Sequence, residues 1–407
     1  MSERPEAVVL GAGVVGMATA YALARRSVGV LILDRAEEPG RGTSYANGAQ
    51  LSYAYTDALG SPALLRKLPV LMLGADPAFR LRPSMDPEFI RWGLAFVSDC
   101  TAHRSLRNTL EGLRLGLESR AAMHALLDRH PLDFHHSAPG KIHLYEDEES
   151  FAAAALMVER KREQGAVQEL LSAAEAVALE PALASVGDRL SGVVYSREEE
   201  VGDPYLFCKA LLKTLKSDYG VRTRFGAEAA RLELGGTRPE VVLADGERIE
   251  GDRIAVCTGV DTPKILKGTG IRAPIWPMRG YSITAPVGPA APRISITDAK
   301  RKVVFCRLGG RMRVAGLADL GSRGTAIDPR RMASLIDSVR ASLPDAVDLE
   351  RVESRWAGLR PMTPSSLPII RKERAGMVLN VGHGGLGWTF AMGSGERAAD
   401  LMLEPLD

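Results

Sequence analysis

The chain has 407 residues, of which 45% are hydrophobic, 25% charged and 5% aromatic. This length exceeds what one hydrophobic core usually serves, so we expect two domains. The net charge of +2 argues against a general nucleic-acid-binding protein, whose basic face usually shows in the charge of the domain. The four cysteines form no CxxC pair, which predicts buried thiols without a zinc site or disulfide framework, as in a reducing compartment.

The first predicted elements are a strand, a glycine-rich turn, a helix and a second strand. Ala7–Leu10 is a short apolar run, residues 15–26 are rich in helix-forming alanine, and residues 28–33 form a second apolar run. Two strands joined by a helix within about thirty residues form a βαβ unit. Its right-handed crossover makes the two strands parallel.

The remaining elements mix helices with short strands. Helical spacing of apolar residues predicts helices over 104–129, 150–164, 172–180, 205–219 and 333–342. We expect a four-strand meander over 221–225, 229–234, 240–243 and 248–257, with a tight hairpin turn at Asp245-Gly246. Further strands are predicted at 281–284, 303–308, 312–315 and Met377–Val381, the last followed by a glycine-rich loop and a helix. This order predicts two interwoven domains, with the C-terminal segment completing the nucleotide-binding one.

One apolar segment has two interpretations. Residues 62–73 are apolar but interrupted by Arg66, Lys67 and Pro69, so they pack in a core, which we favour, or rest on a membrane surface. No signal peptide or membrane-spanning stretch is predicted. We therefore expect a cytoplasmic protein and leave open a peripheral contact with the inner membrane.

The turn after the first strand matches the dinucleotide-binding pattern G-x-G-x-x-G. Gly11 permits the tight turn, Gly13 lets the backbone approach a pyrophosphate, and Gly16 allows close packing of helix on strand. Val14 and Val15 open the helix, whose free N–H groups and positive dipole end favour phosphate. The five residues 11 and 13–16 are therefore predicted to bind a cofactor.

An acidic residue at the end of the second strand supports the same prediction. Asp34 lies at the offset expected for an acid that binds ribose hydroxyls, and it would repel the 2′-phosphate of NADP. The pattern does not separate NAD from FAD. The loop 41–51 follows with hydroxyl groups and flexible backbone, suited to tracking a pyrophosphate toward a second ring. The contacts we expect here are Arg35, Thr43, Ser44, Asn47, Gly48, Ala49, Gln50 and Leu51.

Four separated segments resemble one family of flavoproteins. Residues 1–55, Pro277-Met278-Arg279-Gly280-Tyr281-Ser282, the GLRPMTP run at 358–364 and the GHGGLGWT run at 382–389 are similar to the D-amino-acid oxidase superfamily. Their combination looks most like the D-amino-acid dehydrogenase small-subunit branch. The resemblance spans nearly the whole chain, with the motifs in the same order.

The resemblance implies a cofactor, a fold and roles for individual residues. It implies non-covalent FAD, since no cysteine occurs in 358–366 to form the covalent link of sarcosine oxidase. Arg360 matches the arginine that pairs with the substrate carboxylate, a role that suits a guanidinium because it forms two parallel charge-assisted hydrogen bonds. Tyr281 resembles a tyrosine that helps hold this carboxylate. His383 is expected to touch flavin or substrate, and a loop histidine with a structural hydrogen bond is equally expected. Tyr53 and Tyr55 are expected to line the substrate side, although core packing is comparably expected for these two tyrosines and for Tyr281.

The glycine-rich loop near the C-terminus is expected beside the isoalloxazine ring, where backbone N–H groups stabilise charge on the reduced ring. The remaining expected cofactor contacts are Gly384, Gly385, Leu386, Gly387, Trp388, Thr389, Ala229 and Gly259. Glycine oxidase carries an arginine where this chain has Gly385, which puts a second carboxylate anchor in doubt. The pair Ser365-Ser366 and Ser27 also depart from the family, where Asp-Gly and glycine are common.

A cluster of histidines and the domain limits complete the predictions. His130, His135, His136 and His143 lie close in sequence, and we expect a solvated loop there and no metal. The implied fold is α/β plus α+β: a Rossmann-like FAD-binding domain interwoven with a substrate domain built on a mostly antiparallel sheet with helices. We assign 1–56, 146–184, 201–272 and 364–407 to the first domain, and 57–145, 185–200 and 273–363 to the second.

The predicted activity is oxidative deamination of a free amino acid, in first place a D-amino acid. Hydride would pass from Cα to flavin N5, the imino acid would hydrolyse to a 2-oxo acid and ammonia, and electrons would pass to a quinone or other carrier. The alternatives are D-proline, hydroxyproline or an N-substituted glycine as substrate, and oxygen as acceptor. A flavin-binding scaffold subunit and an NAD-binding regulatory protein are the non-enzyme alternatives. The oligomeric state is open.

Overall fold

Two large β-sheets dominate the computed structural model, which describes residues 5–72, 74, 76–236, 238–374 and 376–404. The α-helices of these residues are α1 (Val14–Ala24), α2 (Pro62–Met72), α3 (Pro87–Asp99), α4 (Ala102–Arg129), α5 (Glu148–Arg162), α6 (Ala173–Leu179), α7 (Pro204–Tyr219), α8 (Thr262–Ile265), α9 (Pro329–Ser342) and α10 (Gly387–Leu403).

The strands fall before and after α7. Those before it are β1 (Ala7–Leu10), β2 (Val30–Leu33), β3 (Gln50–Leu51), β4 (Phe79–Leu81), β5 (Lys141–Tyr145), β6 (Glu169–Leu171), β7 (Gly192–Ser196) and β8 (Glu200–Val201). Those after it are β9 (Arg222–Arg224), β10 (Ala229–Glu233), β11 (Glu240–Leu243), β12 (Arg248–Glu250), β13 (Arg253–Val256), β14 (Trp276–Pro286), β15 (Ser295–Asp298), β16 (Val303–Leu308), β17 (Arg311–Leu320), β18 (Ser354–Met362), β19 (Ile369–Lys372) and β20 (Met377–Val381).

The first sheet is the predicted nucleotide-binding sheet. Its order is β19-β20-β13-β1-β2-β9, and all neighbours are parallel except the antiparallel pair β19–β20. Every residue of β1 is buried, as expected for a central parallel strand. Helix α10 returns the C-terminus to α1: a Cβ at Gly395 would stand 2.8 Å from the backbone of Ala18. The last helix therefore completes the N-terminal unit, as predicted.

The second sheet has nine strands and is mostly antiparallel. Its order is β18-β14-β17-β16-β15-β5-β7-β6, with β4 added to β17. The pairs β15–β5 and β17–β4 are parallel. Helix α9 covers one face, where Leu335 and Val339 pack with Phe305 and Tyr281. The opposite face contacts the loop that follows β2. The two sheets together confirm the predicted fold, a Rossmann-like unit with a mostly antiparallel second sheet.

The predicted meander is wrong at both ends. Only β10, β11 and β12 form an antiparallel three-stranded sheet. Strand β9 pairs with β2, and β13 pairs with β1 and β20 in the first sheet. The reason is burial, because Ile254, Ala255 and Val256 are fully buried, as in a central strand. The hairpin turn at Asp245-Gly246 is confirmed, with Gly246 at a φ of +90°.

Two of the domain assignments do not match the sheets. Strand β6, in the segment 146–184 assigned to the cofactor domain, pairs with β7 and so belongs to the larger sheet. Helix α4, within 57–145, buries Met123 and Leu126 in the cluster that also contains α1 and α10. Strand β6 therefore pairs with the larger sheet and helix α4 packs beside the nucleotide-binding sheet, whereas β4 and β5 of 57–145 remain in the larger sheet. The rest of the two-domain division stays a prediction.

The segment 62–73 is not a core element. Helix α2 covers it as far as Met72, and Leu73 lies outside the described residues. Leu71 alone is buried among the residues of α2, whereas Val70 and Met72 are 49% and 59% exposed. Across the described residues, no helix offers an apolar stretch long enough to cross a bilayer. All four cysteines are free and buried, as predicted.

Candidate active site

The glycine turn after β1 has the geometry that its sequence predicts. Gly11 adopts a φ of +99°, and a Cβ there would stand 2.6 Å from the carbonyl oxygen of Cys257. A Cβ at Gly16 would collide with the backbone of Gly11. Helix α1 begins at Val14, whose N–H donates to Ser44 Oγ at 3.1 Å. The turn is therefore closed to larger side chains, which brings backbone N–H groups close to any ligand.

The acidic residue after β2 lies beside this turn. Asp34 Oδ2 accepts from Ala12 N at 2.6 Å and Oδ1 accepts from Ala36 N at 2.8 Å. Each carboxylate oxygen keeps a lone pair for a ribose hydroxyl. Arg35 forms an ion pair with Asp261 at 3.0 Å and lines the same cavity.

The loop that follows β2 crosses the open face of the larger sheet. Thr43 Oγ1 donates to Leu359 O at 2.7 Å, and Gln50 Nε2 donates to Ser295 Oγ at 2.7 Å. Asn47 Oδ1 accepts from Ala49 N, which fixes the turn at the left-handed Ala49. A flat ring placed beside this loop would therefore meet a surface that the loop and the larger sheet form together.

The C-terminal glycine loop closes the cavity from the other side. It leads through a short 3₁₀ turn, Gly384–Leu386, into α10, which has no side-chain cap. His383 Nε2 is 3.0 Å from Ser394 Oγ, and burial lowers the pKa of His383 to about 3, so the imidazole is neutral. Uncapped N–H groups and the helix dipole then provide the positive electrostatics at this point.

Arg360 projects from β18 over the adjacent strand. Its Nη1 donates to Leu317 O at 3.0 Å, and the guanidinium occupies the space above Gly280, where a Cβ would be 2.6 Å from Cζ. Burial lowers its pKa to about 10, and Asp319 counteracts this shift. Among the described residues no carboxylate forms an ion pair with Arg360, so its remaining N–H groups face the cavity without an anionic partner.

Tyr281 lies on the opposite face of the sheet from Arg360. In the β14–β18 register Met278 pairs with Arg360 and Tyr281 pairs with Ala357, so the two side chains point to different faces. The Tyr281 hydroxyl donates to Asp319 Oδ2 at 3.1 Å, and its ring packs against α9. Tyr281 is also among the residues that line the cavity, so its predicted role in holding a substrate carboxylate stays a prediction. The alternative, a core tyrosine, matches its position.

The side chains of Tyr53 and Tyr55 have different surroundings. Tyr53 is buried beside α4 and donates to Glu200 Oε2 at 3.0 Å, away from the cavity. Tyr55 lines the cavity, and its ring centroid lies 3.8 Å from that of His143. Of the two, only Tyr55 is placed to meet a substrate.

The histidine region is only in part the solvated loop that the sequence predicts, because His135 is exposed in an irregular segment whereas His143 lies in a strand. His143 is fully buried in β5, and neither ring nitrogen has a hydrogen-bond partner. Burial holds its pKa well below the usual range. His136 binds Glu200 at 3.0 Å, and the described residues contain no cluster that could hold a metal ion.

One continuous cavity of about 600 Å³ connects these features. It runs from the glycine turn past Asp34, Ala229 and Gly259, along the loop after β2, to Arg360 and Tyr55. All the predicted cofactor contacts line it except Gly16, which packs under the turn, and Leu51, which is buried in the adjacent core.

Several residues that line the cavity were not predicted from the sequence. Thr258 follows β13, and position at the carboxyl end of a parallel strand is a signal that could have found it. Lys141 and Lys302 line the other end, but a single lysine at a strand or turn gives no signal in sequence.

The donor set of the cavity fits FAD. The glycine turn and the Asp34 carboxylate suit a pyrophosphate and a ribose. The loop, the larger sheet and the N-terminus of α10 surround the space that a ring system beyond the pyrophosphate would occupy.

Residues 6–401 match the family described as FAD dependent oxidoreductase, and the chain belongs to this family. The protein is therefore an FAD-dependent oxidoreductase. It is 41% identical to D-amino acid dehydrogenase 2 of Ralstonia nicotianae, over 97% of this chain and 95% of that protein. It is 36% identical to D-amino acid dehydrogenase of Paramagnetospirillum magneticum, over 97% of this chain and 94% of the relative.

Solved structures share the fold at low sequence identity. L-proline dehydrogenase from P. horikoshii has a TM-score of 0.78 at 16% identity, covering 99% of this chain and 94% of that one. Glycine oxidase from Geobacillus kaustophilus has a TM-score of 0.76 at 20% identity, covering 98% and 94%.

Proposed function

We propose that the protein oxidises a free amino acid, in first place a D-amino acid, to the imino acid, which water converts to a 2-oxo acid and ammonia. The relatives named D-amino acid dehydrogenase support this substrate class. The observation that carries the proposal is Arg360, a half-buried cation that lines the cavity and has no carboxylate partner in the part of the chain that the structure describes. FAD, when bound, supplies the two-electron oxidant for the Cα–H bond.

The residues of this chain supply orientation and electrostatics. Arg360 binds the substrate carboxylate through two parallel hydrogen bonds, which fixes the direction of Cα–H. The loop after β2 and the larger sheet enclose the reacting atoms and exclude bulk water. His383 stays neutral and positions the 384–387 backbone through Ser394. A strong general base is not required if the amine binds in its neutral form.

The test is anaerobic bleaching of the flavin by a panel of D- and L-amino acids, imino acids and N-methyl glycines. We expect at least one D-amino acid to bleach wild-type holoenzyme. Arg360→Ala should slow bleaching at a given substrate concentration by about 100-fold while the yellow colour is retained. Arg355→Ala removes an exposed arginine of the same strand and is the matched control. Near-normal bleaching of Arg360→Ala would remove Arg360 from substrate binding.

The same panel separates the alternatives. D-proline, hydroxyproline or an N-substituted glycine as best substrate would move the activity to imino acids, and peroxide formation would identify oxygen as acceptor. If no member of the panel bleached the flavin, a flavin-binding scaffold subunit would be the remaining alternative. A colourless preparation would indicate an NAD-binding protein.

We also propose that electrons pass to a membrane quinone or another carrier, with α2 and α3 resting on the membrane. Ile90, Leu94 and Val97 form one exposed apolar stripe of α3, at 45%, 68% and 46% exposure. The opposite stripe of α3 packs on the core beside the cavity residue Leu59. The exposed cations Arg66 and Lys67 are on α2, which suits anionic lipid headgroups.

Flotation with vesicles tests this contact. Wild-type protein should float with vesicles that contain phosphatidylglycerol and less with pure phosphatidylcholine. Leu94→Glu should abolish flotation, whereas Leu156→Glu, an equally exposed leucine on α5, should not. Equal behaviour of the two variants would contradict the proposal.

A further inference from the structure

The end of the cavity remote from the glycine turn carries an ammonium group that the proposed reaction does not use. Lys141 is the first residue of β5, is 2% exposed and lines the cavity. Its Nζ donates to Ser52 Oγ at 2.7 Å and lies 4.7 Å from the ring centroid of Tyr55. An ammonium has three donors, and this is the one hydrogen bond it makes among the described residues.

Two acidic residues, Glu199 and Asp57, act electrostatically on Lys141, but neither forms a salt bridge with it. Asp57 is bound by Lys161 at 2.5 Å, and the charge of the other cavity lysine, Lys302, is paired with Asp76 at 3.2 Å. Glu199 accepts from Ala54 N at 2.7 Å, its Oε2 has no hydrogen-bond partner in the described part of the chain, and it is the opposite charge that acts most strongly on Lys141. Burial raises the pKa of Glu199 to about 7, which leaves part of it neutral at neutral pH. None of the described carboxylates forms a salt bridge with Lys141. Within the described residues, the Lys141 ammonium therefore has Glu199 as an electrostatic partner but no carboxylate in direct contact.

Arg360 and Lys141 both line the cavity and come from separated strands of the larger sheet. The Arg360 guanidinium crosses β14 and bonds to Leu317 O of β17. From β17 to β5 there are three inter-strand steps, which amount to roughly 14 Å, part of which the Lys141 side chain spans. A compact molecule with two carboxylates could approach both cations from within this space.

We propose that the cavity selects amino acids whose side chain ends in a carboxylate, with Arg360 binding the α-carboxylate and Lys141 the side-chain carboxylate. The inference rests on the proposed amino-acid oxidation and names its substrate class. A carboxylate would fill donors of Lys141 in a site sheltered from water, where charge-assisted hydrogen bonds are strong. A cationic side chain would meet Lys141 and Lys302 and be repelled.

Size-matched substrate pairs test the selection. Anaerobic flavin reduction of the holoenzyme is measured with D-aspartate against D-asparagine and D-glutamate against D-glutamine. We expect at least one acid to exceed its amide by about tenfold or more in the reduction rate constant divided by Kd. Amides that match their acids in both pairs would overturn the inference while leaving amino-acid oxidation intact.

Variants assign the selection to Lys141. Lys141→Met should bring the acid-to-amide ratio close to one, and Lys141→Arg, which keeps the charge, should preserve most of it. Lys300→Met removes an exposed lysine outside the cavity and is the control. If Lys141 only holds Ser52 in place, Lys141→Met would slow acids and amides equally, which would contradict the inference.

A binding measurement avoids both turnover and mutation. Titration of wild-type holoenzyme with glutarate should perturb the flavin spectrum at lower concentration than pentanoate, which has one carboxylate and the same chain length. If glutarate and pentanoate perturbed the spectrum at equal concentrations, the proposal would be overturned even if no amino acid bleached the flavin. If no amino acid bleached the flavin but glutarate still bound more tightly than pentanoate, the proposed oxidation would be rejected and the two-cation site would be retained.

Discussion

The guanidinium of Arg360 occupies the space that a side chain at Gly280 would fill. A Cβ at Gly280 would stand 2.6 Å from Cζ of Arg360, and the two residues lie on the paired strands β14 and β18. The glycine therefore has a steric role in the site, since it lets the arginine lie flat across β14 toward Leu317.

Replacement of Gly280 by alanine should displace Arg360 without touching the cofactor. We expect kcat/KM to fall by about 100-fold, because a displacement of about 1 Å has effects of that order. FAD content should be unchanged. Gly310→Ala is the matched control, since a Cβ there meets nothing within 4 Å. Equal activity of both variants would show that Arg360 tolerates the methyl group.

Gly11→Ala should weaken FAD binding. The residue has a φ of +99° and its Cβ would press on Cys257 O at 2.6 Å, so the turn must move away from the pyrophosphate. Strain of about 1–3 kcal/mol predicts a Kd raised roughly tenfold or more. The ratio of flavin to protein absorbance after dialysis measures this, with Gly93→Ala as control in open space on α3. Full retention of flavin by Gly11→Ala would contradict the assignment.

The preference for an acidic side chain should depend on pH. Burial lowers the pKa of Lys141 to about 8, so its ammonium is present below this value and lost above it. Burial raises the pKa of Glu199 to about 7, so a competing negative charge appears above that value. Lys161, Asp57 and Cys306 also act on Lys141. The D-glutamate to D-glutamine ratio of kcat/KM should therefore fall as pH rises from about 7 through about 8.

The use of a ratio removes the titration of the substrate amine, which both substrates share. A ratio that stays constant from pH 6 to 9, roughly the range around these pKa values, would contradict the prediction. In Lys141→Met the ratio should be small and vary little with pH.

Tyr281→Phe should affect stability more than catalysis. The hydroxyl donates to Asp319, which also pairs with the buried Arg331 at 2.7 Å. Its loss should cost about 1–3 kcal/mol of unfolding free energy, as for other hydrogen bonds to charged groups. KM should change less than twofold, because the side chain lies on the α9 face. A large rise in KM with unchanged unfolding would restore the substrate role predicted from sequence.

Local patterns predicted the nucleotide-binding unit well. The apolar strands, the glycine turn and Asp34 lie within about thirty residues of one another, so their structural roles can be inferred from the local sequence. Arg360 and the glycine loop were identified through the family resemblance. The structure adds that the arginine has no carboxylate partner among the described residues and depends on Gly280.

Other features depend on contacts that sequence does not encode locally. Lys141 becomes a cavity residue because β5 lies parallel to β15 across a long sequence separation. Ser27 and Ser366 both adopt left-handed φ values, +64° and +66°, a conformation that glycine adopts without strain, which is consistent with the glycines that the resemblance implies at these positions. Ser366 Oγ also accepts from Leu59 N at 3.0 Å. A turn motif in the sequence does not predict this hydrogen bond.

The loop after β2 connects the two sheets in a way that affects how the protein can be divided. Besides the contacts of Thr43 and Gln50, Ser282 Oγ donates to Ala46 O at 2.6 Å and Arg313 Nη1 to Asn47 O at 3.2 Å. The segment that begins in the nucleotide-binding sheet is thus hydrogen-bonded to the other sheet along its length. Excising either sheet as an independent fragment would cut the surface on which we propose that the flavin ring lies. Chimeras with relatives should therefore exchange this loop together with the strands beneath it.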